Sequence, residues 1–234
     1  MHLFYSTTIQ HNRVLLDEEE SRHAISVLRL KADDNFQVTD GCGSLFHCRV
    51  EEITKKNVVG QILETEKSSV AQNLLHIAIA PTKNTDRLEW FLEKSCEFGV
   101  GKITPIICER SERKDVRIDR LNKVLVAAMK QSLHLWLPEL SEPLPLKKLL
   151  AESDSAEKYI AHCVPGNKQQ FFDAVSPDQP TLILIGPEGD FSPNEIQLAI
   201  EQKFKPVSLG NSRLRTETAG IAAAHIFAIR SEKK

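Results

Sequence analysis

The sequence predicts an α/β protein with two parts, a C-terminal domain on a parallel sheet and a small N-terminal domain that resembles a β-barrel. After residue 74, short apolar runs alternate with helical patterns, which is typical of parallel strands covered by helices on both faces. Before residue 70, short β-rich pieces follow one another with one helix among them. We therefore expect domains at 1–70 and 71–234 of the 234-residue chain.

The elements of the first part are short. Its helix is expected at 18–28, a Gly-Cys-Gly turn lies at 41–43, and polar residues with little apolar periodicity mark a linker at 64–73. The expected strands are 3–6, 14–16, 35–39, 44–53 and 58–63.

In the second part, strands and helices alternate regularly. The expected strands are 74–80, 102–107, 158–164, 181–185 and 206–209. The expected helices are 86–98, 118–132, 168–175, 193–203 and 217–230.

Composition excludes several classes of protein. The net charge of −2 argues against binding of nucleic acid by bulk positive charge, though a local basic patch remains possible. No apolar run is long enough to span a bilayer, and the N-terminus has no signal-peptide pattern, so a cytoplasmic protein without a membrane partner is expected. Five scattered cysteines predict neither a disulfide framework nor a metal site; three of them, Cys96, Cys108 and Cys163, are expected in the core. Dinucleotide and P-loop signatures are absent.

Two polar loops near the C-terminus carry most of the functional information. They read I-G-P-E-G-D-F at 185–191 and L-G-N-S-R-L-R-T-E-T-A-G at 209–220. Each follows an apolar strand and leads into a helix, which is where α/β folds hold ligands. For the first loop, a well-formed strand-turn-helix connection without function is the alternative.

The chemistry of the first loop predicts its conformation. Pro187 suits the second position of a type I turn over 186–189. Ser192 and Glu195 fit the N-cap and the third position of a helix with a capping box, and Phe191 can pack against Ile196.

These motifs resemble a known family. The pattern G-P-E-G-D-F-S-x-x-E-I at 186–196, followed by L-G-x-x-x-L-R-T-E-T-A at 209–219, is similar to the 16S ribosomal RNA (uracil-N3)-methyltransferases of the SPOUT superfamily. Further similarities cover nearly the whole chain: His23 with V-L-R at 27–29, D-G at 40–41, D-R at 86–87 and E-F-G-V at 97–100. The N-terminal part resembles that family's PUA-like domain.

The resemblance implies S-adenosylmethionine as methyl donor, a C-terminal trefoil knot and a homodimer with active sites near the subunit interface. It also implies a cofactor pocket between the two loops, with the backbone of Leu209 and Leu214 reading the adenine. Leu209 could equally be a core residue. The expected cofactor-binding residues are His162, Ile185, Gly186, Pro187, Glu188, Gly189, Leu209, Gly210, Leu214, Arg215, Thr216, Thr218 and Ala219.

Methyl transfer to N3 of uracil requires alignment of the reactants, removal of a weakly acidic proton and stabilisation of charge on the carbonyl oxygens. Arg215 is the candidate for that stabilisation, because a guanidinium donates in a fixed fork. Glu217 and Glu188 are the candidate bases, with Glu217 preferred. The alternative for Glu217 is a carboxylate that only stabilises the start of a helix. No metal is needed.

Two clusters of basic residues could bind RNA. Arg22, His23, Arg29 and Lys31 lie around the N-terminal helix, and Arg110, Arg113 and Arg117 precede the helix at 118. The second cluster is interspersed with acidic residues, so a salt-bridged surface loop is its alternative.

The chain departs from the family pattern at several positions. Asp33 and Asp190 stand where glycine is common, Ser212-Arg213 stands where Arg-Ile is usual, and Lys130 and His134 replace a Glu and an Arg. The function expected is methylation of N3 of a uridine in the RNA of the small ribosomal subunit. The alternatives are a SPOUT methyltransferase acting at another RNA position, and a ribosome-assembly protein that binds RNA without catalysis.

Overall fold

The computed structural model describes residues 2–54, 56–68 and 74–232 and divides into two compact units. The first comprises residues 1–72 and 126–137, and the second comprises 73–125 and 138–234. Segment 126–137, which the sequence placed in the second domain, thus groups with the first unit.

The first unit is a six-stranded sheet around its own core. Its strands are β1 (Leu3–Tyr5), β2 (Ile9–Gln10), β3 (Arg13–Leu15), β4 (Asn35–Thr39), β5 (Ser44–Ile53) and β6 (Val58–Lys67), in the spatial order β1-β4-β5-β6-β3-β2. Among the described strand pairs of this unit, only β1–β4 is parallel. Alternating residues of β4, β5 and β6 enter the core, where Gly60 leaves room for the ring of Phe36.

The predicted helix over 18–28 is two different elements. Helix α1 (Glu18–Arg22) is capped by Asp17, whose side chain accepts a hydrogen bond from Glu20 N. A π-helical turn (His23–Val27) follows it. The backbone N–H of Leu30 then bonds the carbonyl of Ala24, which fixes the turn that leaves the helix.

Segment 126–137 is held in the first unit by polar contacts. Lys130 forms an ion pair with Glu20, which is buried. Backbone hydrogen bonds join Gly43 N to Leu135 O at 2.8 Å and Leu137 N to Gly41 O at 2.9 Å. Lys130 therefore has a defined partner in this chain.

The second unit is a parallel sheet with helices on both faces. Its strands are β7 (Leu75–Ile79), β8 (Lys102–Ile107), β9 (Glu139–Leu140), β10 (Leu144–Pro145), β11 (Glu157–Ala161), β12 (Gln169–Gln170), β13 (Thr181–Ile185) and β14 (Lys205–Ser208). The order is β10-β8-β7-β13-β11-β14-β12, and β9 also pairs with β8. The parallel α/β class is therefore confirmed.

The remaining helices are α2 (Thr85–Glu97), α3 (Ile118–Gln131), α4 (Leu146–Glu152), α5 (Phe171–Ala174), α6 (Pro193–Glu201) and α7 (Thr216–Glu232). Helices α4 and α6 bury Leu149, Leu150 and Ala199 against Leu182 and Leu184 of β13. Helix α7 packs on α2, α5 and strand β7. Strand β13 is buried along its whole length.

Several predicted boundaries were wrong. Strand 158–164 ends at Ala161, because residues 162–164 turn into a loop, and helix 168–175 shrinks to one turn at 171–174. Helix α4 and the two-residue strands were not predicted. Residues 64–67 of the expected linker belong to β6, and 69–73 lie outside the described residues.

Candidate active site

Three neighbouring strands end at the same level of the sheet. Ala161 at the end of β11 is in register with Ile185 at the end of β13 and with Val207 in β14. Because the strands are parallel, the loops that follow them leave from one edge. Both predicted polar loops lie there, joined by the loop after β11.

The turn of the first loop is shifted by one residue from its predicted place. The backbone N–H of Asp190 donates to Pro187 O at 2.9 Å, so the turn spans 187–190 and not 186–189. Asp190 has a φ of +61°, a conformation that aspartate tolerates better than most residues. Its carboxylate accepts hydrogen bonds from Cys163 N at 2.8 Å and Phe191 N at 2.9 Å. Asp190 therefore ties the first loop to the loop after β11.

The helix start that follows is as predicted. Ser192 caps α6, its hydroxyl accepts from Glu195 N, and Glu195 returns a carboxylate oxygen to Ser192 N. The other oxygen of Glu195 accepts from Glu109 N at 2.8 Å. Phe191 and Ile196 lie in the same hydrophobic cluster. The N-terminus of α6 is therefore bonded both to its own capping residue and to the segment that follows β8.

The second loop is tied to the first by one side chain. The hydroxyl of Thr216, at the start of α7, donates to the carbonyl of Gly186 at 3.0 Å, and both residues are buried. At the other end of the loop, Ser208 Oγ donates to Gly210 O at 2.8 Å. Gly210 has a φ of +120°, which only glycine adopts readily.

Two adjoining cavities lie among these loops. The larger has a volume of about 680 Å³ and the smaller about 250 Å³. They share the lining residues Ala161, Cys163, Asp190, Arg213, Leu214 and Ala219. The site therefore has room for two reactants side by side.

Most of the predicted cofactor-binding residues line one of these cavities. The larger is lined by His162, Gly189, Leu209, Gly210, Leu214 and Ala219. The smaller is lined by Ile185, Gly186, Pro187, Glu188, Leu214, Arg215, Thr216 and Ala219. Thr218 was also predicted to bind the cofactor, but it lines neither cavity of the described chain.

His162 is the most unusual polar group of the larger cavity. Both ring nitrogens are buried, and neither has a hydrogen-bond partner within the described residues. Burial and the nearby Lys168 ammonium lower the pKa of His162, while Asp190 opposes the shift. The ring is therefore neutral near pH 7 and offers one donor and one acceptor.

The three predicted catalytic residues have different environments. Arg215 is exposed, lines the smaller cavity, and its guanidinium has no partner in the described chain. Glu188 also lines that cavity, and its Oε1 accepts from Lys83 N at 3.0 Å. Glu217 is 5% exposed and lines neither cavity of the described structure. Its Oε1 lies 3.7 Å from Arg87 Nε, and its Oε2 has no hydrogen-bond partner among the described residues. Glu188 is thus the candidate base that reaches the site.

The basic residues before α3 divide into two kinds. Arg110 lines the larger cavity and donates to Gly189 O at 2.8 Å, and Arg113 donates to Lys83 O at 3.0 Å. These arginines bond loop carbonyls, not the acidic residues that the alternative interpretation required. Arg117 is exposed and has no side-chain partner in the described chain.

The four predicted RNA-binding residues of the first unit, Arg22, His23, Arg29 and Lys31, are exposed. Arg22 Nη2 lies 3.7 Å from Glu18 Oε1, and the ring of His23 contacts the ring of Phe4 edge to face. Arg29 has a φ of +55°, and neither Arg29 nor Lys31 has a side-chain partner among the described residues.

Sequence reasoning missed much of the third loop. The predicted strand 158–164 extends three residues beyond the observed end at Ala161, so Cys163 and Val164 were not expected at the site. Cys163 was predicted to be a core residue, but it is exposed. Cys96 and Cys108 are buried as expected. Further lining residues that were not predicted are Ala161, Lys168, Asp190, Val207, Ser208, Asn211, Ser212 and Arg213. The polar run G-N-S-R at 210–213, just after β14, was the signal that could have extended the set.

Searches of the described residues give two negative findings. They contain no group of His, Cys, Asp and Glu side chains that could hold a metal ion. They also contain no helix that is long and apolar enough to cross a membrane.

Comparisons with known proteins agree with this architecture. Residues 70–228 match the model of the RNA methyltransferase domain, and residues 16–63 match the RNA methyltransferase PUA domain. The ribosomal RNA small subunit methyltransferase E of Aquifex aeolicus is 30% identical over 97% of this chain and 99% of its own length.

Two solved structures are similar over nearly the whole chain. A probable rRNA-methyltransferase from Porphyromonas gingivalis has 38% identity and a TM-score of 0.92, with 99% of each chain covered. A ribosomal RNA small subunit methyltransferase E from Neisseria gonorrhoeae, bound to S-adenosyl methionine, has 27% identity and a TM-score of 0.85, with 99% of this chain and 98% of that chain covered. The chain therefore belongs to the RNA methyltransferase family that includes the small-subunit ribosomal RNA methyltransferases E.

Proposed function

We propose that this protein transfers a methyl group from S-adenosylmethionine to N3 of a uridine in the RNA of the small ribosomal subunit. The observation that carries the proposal is the pair of adjoining cavities at the ends of β11, β13 and β14. On the wall of the smaller one lies Arg215, whose guanidinium has no partner among the residues that the structure describes. The relatives that act on ribosomal RNA, and the neighbour bound to S-adenosyl methionine, support the choice of substrate and methyl donor.

The residues of the site fit such a cofactor. His162 presents two buried ring nitrogens that have no partner in the described part of the chain, and a bound nucleoside could satisfy them. At Gly210 a Cβ would meet no atom within 4 Å, so a cofactor can approach the backbone closely there. When bound, the cofactor supplies an electrophilic methyl group on a sulfonium.

The protein's own groups would position and activate the uridine. Arg215, free to donate, would hydrogen-bond the carbonyl oxygen beside N3 and stabilise the negative charge that develops there. Glu188, the candidate base on the same cavity, would accept the N3 proton, with Lys83 N holding one carboxylate oxygen. Glu217 would serve as a buried partner of Arg87 and not as the base.

RNA would be bound by basic residues of both units. Arg110, Arg113 and Arg117 lie on the chain between β8 and α3; Arg113 is half-buried, and Arg110 reaches the larger cavity. In the first unit, Arg22, His23, Arg29 and Lys31 would contact phosphates. The matched ranges 16–63 and 70–228 support a PUA-like RNA-binding domain at 1–70 and a methyltransferase domain at 71–234.

Three further properties are proposed on the family resemblance. These are a trefoil knot in the C-terminal domain, a homodimer and a cytoplasmic location. Size-exclusion chromatography with light scattering tests the dimer, and a monomeric mass at micromolar concentration would contradict it.

The test of the function is mass-spectrometric mapping of modified nucleosides in ribosomal RNA from cells with and without this protein. We expect one 3-methyluridine in the small-subunit RNA to disappear with the gene and to return with the wild-type chain. A methyl mark lost at another position or in another RNA would favour a different SPOUT methyltransferase. An unchanged set of modifications would favour an assembly protein without catalysis.

A further inference from the structure

A third cavity, of about 560 Å³, lies wholly within the first unit and has no part in the site described above. Its lining includes Phe4 and Phe36, which are almost fully buried, and Leu63, which is 50% exposed. Leu28 and Leu30 contribute further apolar wall. Burial raises the pKa of Cys48 to about 12, so its thiol is neutral. The cavity thus combines an apolar interior with an aliphatic edge that is open to solvent.

One wall of this cavity is polar. Asn35 and Gln37 lie two residues apart on β4, so both side chains belong to the same face of the strand. Gln37 Nε2 lies 3.3 Å from His47 Nδ1, and His47 Nε2 lies 2.9 Å from Glu66. If His47 Nε2 donates to Glu66, Nδ1 accepts from Gln37, which leaves the carbonyl oxygen of Gln37 available. The amide of Asn35 has no partner in the described chain, so both amides can hydrogen-bond a ligand.

Cationic residues adjoin the cavity. Arg29 lies between the lining residues Leu28 and Leu30, and Lys31 follows directly. Neither has a side-chain partner among the described residues. Glu64 also lines the cavity and could accept hydrogen bonds from an amino group. An apolar slot, amide groups on one wall and two cationic residues next to its lining in sequence match an unpaired base attached to a charged phosphate strand.

We propose that this cavity binds an unpaired nucleobase of the RNA, outside the nucleotide that is methylated. The inference rests on the proposed function, because it assumes that RNA is the ligand. Arg29 and Lys31 would hold the adjacent phosphates, Leu63 and Leu28 would contact the faces of the base, and Asn35 and Gln37 would bond its edge.

The test compares two double variants that carry the same kinds of substitution. Gln37→Ala/Leu63→Ala alters the cavity, whereas Gln61→Ala/Leu15→Ala alters exposed residues of β6 and β3 that do not line it. The probe is a fluorescein-labelled single-stranded RNA of roughly ten nucleotides, long enough for one small domain. Its binding to the full chain is measured by anisotropy over a range of salt concentrations, with thermal melts to confirm folding.

We expect the cavity variant to bind roughly tenfold more weakly than wild type, as the loss of base contacts implies. The slope of affinity against salt should stay unchanged, because no phosphate contact is lost. Arg29→Gln should instead flatten that slope. The control variant should match wild type.

Equal affinity of the cavity and control variants would overturn the proposal. So would weaker binding to small ribosomal subunits with unchanged binding to the RNA probe, which would indicate a peptide ligand. Because the readout needs no methyl transfer, a wild-type protein that fails to methylate RNA would contradict the proposed function and leave this test intact.

Discussion

Two aspartates show how single residues adapt the family pattern. Asp33 and Asp190 stand where the resembling family has glycine, and they have φ angles of +70° and +61°. Aspartate is among the few residues that visit this region routinely. At position 190 the side chain adds hydrogen bonds to Cys163 N and Phe191 N that glycine could not make. Aspartate therefore adopts the left-handed backbone conformation at both positions, and these departures from the family pattern do not argue against activity.

Asp190→Ala should destabilise the protein by about 2–3 kcal/mol, because it removes two hydrogen bonds and leaves a Cβ at positive φ. Asp190→Gly should lose less, since glycine adopts this conformation without strain. Urea denaturation of both variants measures the difference. Equal stability of Asp190→Ala and wild type would show that the carboxylate does not hold the loops.

Arg215→Ala should lower the rate of methyl transfer by roughly 10²-fold or more, as expected when one preorganised donor to a developing charge is removed. The affinity for S-adenosylmethionine should change little, because the arginine is assigned to the uridine. Single-turnover kinetics and calorimetry separate the two quantities. Arg49→Ala, which removes an exposed arginine of β5 that lines neither cavity and is not among the proposed RNA-binding residues, is the matched control for loss of charge. Unchanged turnover in Arg215→Ala would remove this residue from the mechanism.

At the scale of elements, strand β7 contains a half-buried histidine that should make stability depend on pH. His76 contacts Thr104 Oγ1 at 2.8 Å, and burial together with the charge of Lys102 lowers its pKa to about 4, against a smaller opposing effect of Glu139. Between its ordinary pKa of 6.5 and about 4, the unfolded chain binds a proton that the folded chain does not. Stability therefore falls as the pH decreases through this range.

His76→Gln should remove that contribution, which amounts to roughly 2–3 kcal/mol between pH 7 and pH 4.5. Urea titrations of both proteins at these two pH values give the difference in their pH dependence. An identical pH dependence would mean that His76 titrates normally in the fold.

Helix α7 depends on a close contact at Gly220. A Cβ there would lie 2.4 Å from Phe91 of α2 and 3.1 Å from Ile79 of β7. Gly220→Ala should therefore destabilise the protein by about 1–3 kcal/mol through overpacking, partly offset by the higher helix propensity of alanine. Gly189→Ala is the control for folding stability, because its Cβ would meet Arg110 at an ordinary 3.5 Å. A Gly220→Ala variant as stable as wild type would show that α7 can shift.

The elements also show where sequence patterns lose their information. The capping box at Ser192 and the apolar run of β13 are local signals, and both were predicted correctly. The π-helical turn after Arg22 and the end of β11 at Ala161 depend on tertiary contacts, so an apolar pattern continued across both. Helix α4 was missed because its seven residues are short for a periodic signal, and Pro145 precedes it.

At the scale of the whole molecule, the class of fold and the two functional loops could be predicted, because both depend on patterns of residues that are consecutive in sequence. His162 of the third loop was expected at the site on the family resemblance. Its neighbours Cys163 and Val164 could be placed there only from strand register, which joins residues far apart in sequence. The same limit applies to Glu217. Its position in the motif suggested a base, whereas the fold buries it against Arg87.

The central claim is that the three loops after β11, β13 and β14 bind S-adenosylmethionine. Calorimetric titration of the purified full chain with this compound tests it most directly. We predict saturable heat with one site per chain and a dissociation constant at or below the micromolar range, weakened at least tenfold in His162→Ala. No heat at any concentration up to the millimolar range would contradict the account.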